Sequence, residues 1–455
     1  MQLEIIVAEI GSTTTVVSGF SGLEAEPCLV GQGQGPTTVE QGDVRLGLNQ
    51  ALADLRRKLG TKKLEWQHIY ACSSAAGGLK MTVHGLVYDM TARAAREAAL
   101  GAGAVLHQVT AGPVSDADLA KTREIAPNII LLAGGVDYGE RQVILENARR
   151  LAALNLPIPV IYAGNVAIQE EVRAIFAATA CQLTLVENVY PRIDELRIEP
   201  TRQAIQRVFA EHIVHAPGMG QIRELVDGPI QPVPGAVLNA AVTLYGCLGD
   251  LLVFDVGGAT TDLHSVTPGS EEVNSILVDP EPLAKRTVEG DLGLFRNASN
   301  LINLLGRENL AASLGQSGLE ELVQPIPNNP QEIAFAEALT AKAVTVALER
   351  HAGRIRYLYG PGGRLKIARG KDLTRVKYVI GTGGALTRLP RGRELLAANL
   401  GSRDPDLLVP PAEARVLIDR HYIMAAAGVL ASSHPRAAIA LMLKSMDLEG
   451  MPSVP

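Results

Sequence analysis

The sequence predicts an α/β protein with a duplicated design and an additional parallel segment. Three features point there. A strand, a glycine turn and a second strand open the chain at 3–20, and the same design restarts at 251–266. Between the two copies, residues 129–189 alternate strand and helix as βαβαβ, which implies parallel pairing with right-handed crossovers. Finally, 47% of the 455 residues are hydrophobic, only 4% are aromatic and 45 are Gly. Small and aliphatic side chains in that proportion suit sheets covered by helices, and the length corresponds to about two to four domains.

The elements follow in order. Strands are expected at 3–9, 13–20 and 27–33, the first two joined by Gly11-Ser12. A helix at about 43–59 puts Leu48, Leu52, Leu55 and Leu59 on one face. Its far face and end carry Arg56, Arg57, Lys58, Lys62 and Lys63, which complement the helix dipole. A strand at 68–73, a helix at about 89–100 and a strand at 104–109 come next. The alternating stretch has strands at 129–133, 159–163 and 182–187, with helices at about 139–154 and 166–179. A helix at 200–213 opens on Pro200. Pro217, Gly218, Gly220, Gly228, Pro229, Pro232, Pro234 and Gly235 then mark a loop or border, so the two domains are expected at 1–235 and 236–455. The second domain has strands at 251–255 and 259–266 around Gly257-Gly258. A helical region follows at about 291–350, interrupted near Pro325, Pro327 and Pro330. A strand at 376–380 runs into Gly381-Thr382-Gly383-Gly384, and helices near 391–399 and 419–431 close the chain, able to pack back on the first domain.

Charge and composition exclude several classes. A net charge of −6 gives no electrostatic reason to expect nucleic acid. The opening MQLEIIVAEIG carries Glu4 and no basic region, unlike a signal peptide. Apolar runs such as 128–136 fall short of the ~18 residues a membrane helix needs. Cys28, Cys72, Cys181 and Cys247 are scattered without a CxxC, as expected for reduced thiols in a cytoplasmic protein.

The chemistry is concentrated in three segments of one design, an apolar strand delivering a glycine- and threonine-rich turn. They are Val7–Thr15 (VAEIGSTTT), Val253–Asp262 (VFDVGGATTD) and Val379–Leu386 (VIGTGGAL). Glycine lets backbone N–H groups approach a phosphate, and hydroxyls add donors. Glu9 and Asp255, two residues before their glycines, can hold Mg²⁺ through water, as a hard cation prefers. One such turn is usually only a turn; three in this order form a pattern.

That order resembles the actin–Hsp70–sugar kinase superfamily, in which two related βββαβαβα, ribonuclease H-like domains close on ATP. The resemblance implies that Gly11, Ser12 and Thr13 form a first phosphate loop. It makes Asp255, Gly257, Gly258 and Thr260 a second, and Gly381, Gly383 and Gly384 the adenosine border. Further stretches, 129–135 (IILLAGG), 160–165 (VIYAGN), 186–200 (VENVYPRIDELRIEP), 249–266, 286–293 (RTVEGDLG) and 417–430 (LIDRHYIMAAAGVL), resemble the glutamate mutase accessory protein L family (GlmL, also called MutL), from about residue 3 to 435. The mismatch-repair protein of the same name has a different fold and is not resembled. The family resemblance implies an ATP- and Mg²⁺-dependent chaperone that reactivates an adenosylcobalamin-dependent mutase and binds its subunits. Where the family's first motif begins with Asp and ends with Lys, this chain has Glu9 and Val16, so binding is better supported than fast hydrolysis.

Other residues admit two readings. Lys285, Arg286 and Glu289 either contact nucleotide or form a charged helix start. His264 reads as a satisfied structural histidine. His68, His84, His107, His212, His215, His351 and His421 lack metal-ligand spacing. Asp137 ends a strand, where open parallel sheets place functional groups, or is structural. The alternatives to a reactivase are a metabolite kinase, with Asp262 or Asp137 as base beside the γ-phosphate, a non-catalytic nucleotide-gated scaffold, and an iron–sulfur activator of dehydratases. The scattered cysteines and the length disfavour the last.

Overall fold

A computed structural model describes residues 1–74, 79–212, 219–315, 318–360, 363–401 and 404–448. Pro217, Gly218 and His215 lie outside the described residues. The chain divides into two compact units. One comprises Met1–Gly22, Leu29–Ala236 and Asp279–Pro282; the other includes Leu23–Cys28, Val237–Val278 and the chain from Leu283 onward.

The first unit contains β1 (Gln2–Ile10), β2 (Thr14–Ser21), β3 (Cys28–Pro36), β4 (Glu65–Ser73), β5 (Leu79–Gly85), β6 (Ala104–Ala111), β7 (Ile129–Leu132), β8 (Pro159–Tyr162), β9 (Gln182–Leu185) and β10 (Gln231–Pro232). The second contains β11 (Leu251–Val256), β12 (Thr261–Val266), β13 (Ala284–Glu289), β14 (Arg354–Gly360), β15 (Gly363–Arg369), β16 (Tyr378–Thr382) and β17 (Arg415–Ile418).

The duplication is visible in the sheets. One has the order β10-β4-β1-β2-β3 and the other β13-β12-β11-β16-β17. In each, the first strand pairs antiparallel with the second and parallel with the fourth. Register repeats as well. Glu9 lies opposite Val16 and Cys72, as Asp255 lies opposite Asp262 and Thr382. The side-chain period of two turns Ile6, Ala8 and Ile10 toward helix Val44–Lys58, where Leu48 and Leu55 are buried and Leu52 and Leu59 pack on the cluster's margin. Asp43 caps that helix, its carboxylate accepting from the Arg45 N–H at 2.9 Å. In the second unit Leu252, Phe254 and Val256 pack with Phe335, Leu339 and Ala343 of helix Pro330–His351.

The predicted three-strand βαβαβ segment is part of a larger sheet, all parallel, of order β6-β5-β7-β8-β9. Counted along the chain this is 2-1-3-4-5, the doubly wound flavodoxin-like order. β5 is poorly signalled because Lys80 and His84 interrupt its apolar pattern. The helix Asp116–Ile125 buries only Thr122 and is set by a capping box between Ser115 and Asp118 rather than by an apolar stripe.

Three other expectations need correcting. Pro234 and Gly235 lie in the first turn of helix Val233–Leu248, where proline is tolerated, not in a loop. Lys285, Arg286 and Glu289 sit on β13, not at a helix start. The last predicted helix begins at Met424, and a further helix, Pro435–Ser445, follows it. The hairpin β14–β15 was not expected at all. No helix among the described residues is long and apolar enough to cross a membrane.

Candidate functional site

The first turn is held by backbone geometry. Gly11 N–H donates to Thr14 O at 3.0 Å. Thr37 buttresses it from β3's end, its hydroxyl donating to Gly11 O at 2.9 Å and its N–H to Thr13 O at 3.0 Å. Ser12 is half-buried and Thr13 exposed. Glu9 is buried, and Val16, on the same face directly across β2, is buried too. Val16 presents an apolar side chain beside the carboxylate. On the other side lies Cys72, whose thiol is pushed well above its usual range by burial and by the Glu9 charge.

The second turn repeats the first. Gly257 N–H donates to Thr260 O at 3.0 Å. Its carbonyls are engaged from outside: Gly257 O accepts from Leu294 N at 3.2 Å and Gly258 O from Phe295 N and Arg296 N, each at 2.8 Å. The N–H groups of Gly258 and Ala259 have no hydrogen-bond partner among the described residues, which suits an anion. Asp255 is half-buried at the end of β11.

The third segment closes on the second. Gly383 has φ +82°, and a Cβ there would lie 2.6 Å from Asp255 Oδ1 and 2.5 Å from Val256 O. Only glycine fits that position. Gly384 faces open space. Gly381 differs: its missing side chain would meet Leu396 and Ile418, so core packing accounts for it. Sequence reasoning missed Asp419, the buried anchor of this segment. Its Oδ2 accepts from Thr382 Oγ1 at 3.0 Å and from Ile423 N and Met424 N at 2.9 Å each, and its Oδ1 accepts from Ser445 Oγ at 2.6 Å. Its only sequence signal is the 417–430 stretch.

The charged residues of β13 are structural partners. Arg286 is 1% exposed. Its Nε and Nη2 donate to Asp262 Oδ1 at 3.1 and 2.6 Å, and Thr260 Oγ1 donates to Asp262 Oδ2 at 2.9 Å. Glu289 accepts from Arg350 Nη1 at 2.6 Å; burial holds its carboxyl above the usual range while Arg350 pulls against it. Lys285 is buried beside them on the strand.

Asp137 also serves its own loop, Oδ1 accepting from Val166 N at 3.0 Å and Asn188 Nδ2 at 2.9 Å. Among the described residues no group of three His, Cys, Asp or Glu side chains could hold a metal.

Three buried histidines set an acid limit. Burial lowers His84 to about 4 and holds His264 and His351 well below the usual range. His351 is satisfied, with Nε2 at 2.8 Å from Ser265 Oγ and Nδ1 at 2.8 Å from Thr287 Oγ1. His264, expected to be satisfied, has no partner for either ring nitrogen among the described residues. Each ring stays neutral when folded and gains a proton only on unfolding. Stability is therefore complete above pH 6.5 and falls as pH drops from there toward 4. The slope approaches about 1.4 kcal/mol per pH unit for each histidine. Hydrogen exchange at about pH 7 and 5 should show greater acid loss in the second unit, which holds two of the three. Equal protection at both values would contradict this.

Two sheets of one topology, each delivering the same glycine turn two residues after a carboxylate, define the duplicated actin-like ATPase fold. The model of the MutL protein family matches residues 5–446, and the chain belongs to that family. It is 36% identical to Protein MutL of Clostridium tetanomorphum over 96% of this chain and 98% of that one. Among solved structures, a nucleotide-free acetone carboxylase is 14% identical with TM-score 0.42, covering 94% of this chain and 70% of that one. A glycerol dehydratase reactivase is 12% identical with TM-score 0.36, covering 94% and 99%. At those values neither says anything of activity.

Proposed function

We propose that this protein is an ATP-dependent, chaperone-like reactivating factor for an adenosylcobalamin-dependent mutase of the glutamate mutase or aminomutase type. The observation that carries the reading is the repeated turn, Gly11 to Thr14 and Gly257 to Thr260, within a chain of the MutL family. In this reading the N–H groups of Gly258 and Ala259 in the second unit, and Ser12 and Thr13 in the first, are the donors to phosphate, while the Gly257 and Gly11 N–H groups close the turns and the Thr260 hydroxyl holds Asp262. Gly383 and Gly384 lie against the adenosine. The donor set is all oxygen and suits Mg²⁺, which is held by one or two carboxylates together with substrate phosphates. Asp255 in the second unit would hold it through water, Glu9 being the corresponding carboxylate of the first, and the ion would neutralise phosphate charge.

A kinase needs a carboxylate able to take a proton from an acceptor hydroxyl. Asp262 is occupied by Arg286 and Thr260, and Asp137 by Val166 and Asn188, so neither suits that role. Nucleotide binding here shifts a conformational equilibrium by binding one state better than the other. A nucleotide-gated scaffold without turnover is the second reading, favoured by apolar Val16 where the family has lysine.

ATP hydrolysis is expected to be slow and independent of any small acceptor. Incubation with ATP, Mg²⁺ and panels of sugars and carboxylic acids should release phosphate without a phosphorylated product. Fast acceptor-dependent turnover would favour the kinase, and no phosphate release at all the scaffold.

A further inference from the structure

The hairpin β14–β15 has no place in the nucleotide reading. It is paired from Arg354 opposite Arg369 to Gly360 opposite Gly363. It carries five cations, Arg354, Arg356, Arg364, Lys366 and Arg369, and no carboxylate, in a chain whose net charge is −6. Only its base is packed, where Ile355 and Ala368 join Val273 and Leu408. Toward the tip Leu358 is 53% exposed, Tyr359 79% and Leu365 61%. Arg354 pairs with Asp404, and Lys366 with Glu272 at 3.7 Å. Arg356, Arg364 and Arg369 form no ion pair among the described residues.

An isolated two-stranded ribbon is marginal in water. Cations on such a ribbon have a bland explanation, since charged edges prevent unwanted strand pairing. That explanation does not cover Leu358, Tyr359 and Leu365, because a guarded edge gains nothing from exposed apolar side chains. Register places Tyr357, Tyr359, Arg364 and Lys366 on one face. The Arg364 guanidinium stacks 3.4 Å above the Tyr357 ring centroid. Stacking restrains the planar group while Arg364 stays exposed, and a guanidinium fork matches carboxylates. Exposed tyrosine and arginine together are the usual anchors of a protein interface.

We propose that β14–β15 is the docking element for an acidic face of a protein partner. The proposal rests on the mutase reading above and names the mutase as that partner. Charge complementarity selects it: the hairpin carries five cations and no carboxylate on a molecule of net charge −6, whereas at the end of helix Val44–Lys58 Arg57 and Lys58 are paired with Asp54 and Lys63 with Glu65.

The test uses the full chain and glutamate mutase holoenzyme with both subunits, immobilised for surface plasmon resonance. Wild type should bind, and more weakly as salt rises from about 50 to about 300 mM. The variant R356E/R364E should bind at least about tenfold more weakly while retaining ATP affinity and melting temperature. Tyr359→Ala removes an apolar anchor without changing charge and should also weaken binding. Wild-type affinity in both variants would overturn the hairpin proposal and leave the mutase reading standing. No binding by wild type, to glutamate mutase and to aminomutase holoenzymes alike, would overturn the mutase reading, and this proposal with it. Wild type that sediments with phosphatidylserine vesicles through Arg356 and Arg364, while mutase binding ignores them, would make the hairpin a membrane element instead.

Discussion

Asp255→Ala is expected to abolish Mg²⁺-dependent ATP binding, weakening it at least about a hundredfold, or about 2.7 kcal/mol. The carboxylate ends β11 beside the Gly257 turn, and the third segment is shaped around it. Gly383 brings its backbone so close that a Cβ would lie 2.6 Å from Oδ1. Removing the carboxylate deletes the anion that would hold Mg²⁺ through water and loosens the contact with Gly383. Asp255→Asn keeps the shape and removes the charge, so it should lose the Mg²⁺ dependence while retaining part of the nucleotide affinity. Calorimetry with and without Mg²⁺ reads both. Unchanged affinity in the alanine variant would remove the second turn from the site.

Arg286→Met is expected to destabilise the second unit by about 3–5 kcal/mol, because it leaves the buried Asp262 carboxylate with Thr260 as its remaining described partner. The melting temperature should fall by roughly 6–20 °C. Adding Asp262→Leu should recover much of the loss, since removing both charges avoids an uncompensated one. If Arg286 contacts nucleotide instead, the single variant would lose ATP affinity with its melting temperature unchanged.

Much of the repeated-turn design was legible in the sequence because it is local. A carboxylate, a glycine two residues on and a threonine after it recur in both halves, and each turn is closed by a bond spanning three residues. Helix Val44–Lys58 was equally legible from its leucine spacing. What the sequence did not disclose depends on distant partners. Arg286 reads equally as a nucleotide contact or part of a charged helix start until β13 pairs with β12 and lays it against Asp262. Asp419 has no local motif, yet it gathers bonds from β16, from the start of helix Met424–Leu430 and from Ser445. The parallel sheet was seen only in part, since β5 hides its apolar face behind Lys80 and His84. The hairpin escaped because its cations and glycines look like a loop.

The most direct test of the account is recovery of an inactivated mutase. Adenosylcobalamin-dependent mutase that has lost activity is mixed with fresh cofactor, Mg²⁺ and ATP, with or without this protein. Damaged cobalamin held tightly leaves slowly, since each ~1.4 kcal/mol of affinity lowers equilibrium release tenfold. The account predicts recovery of activity only in the tube that holds both this protein and ATP, with recovery lost in Asp255→Ala. Identical recovery with and without the protein, for glutamate mutase and for aminomutases alike, would contradict it.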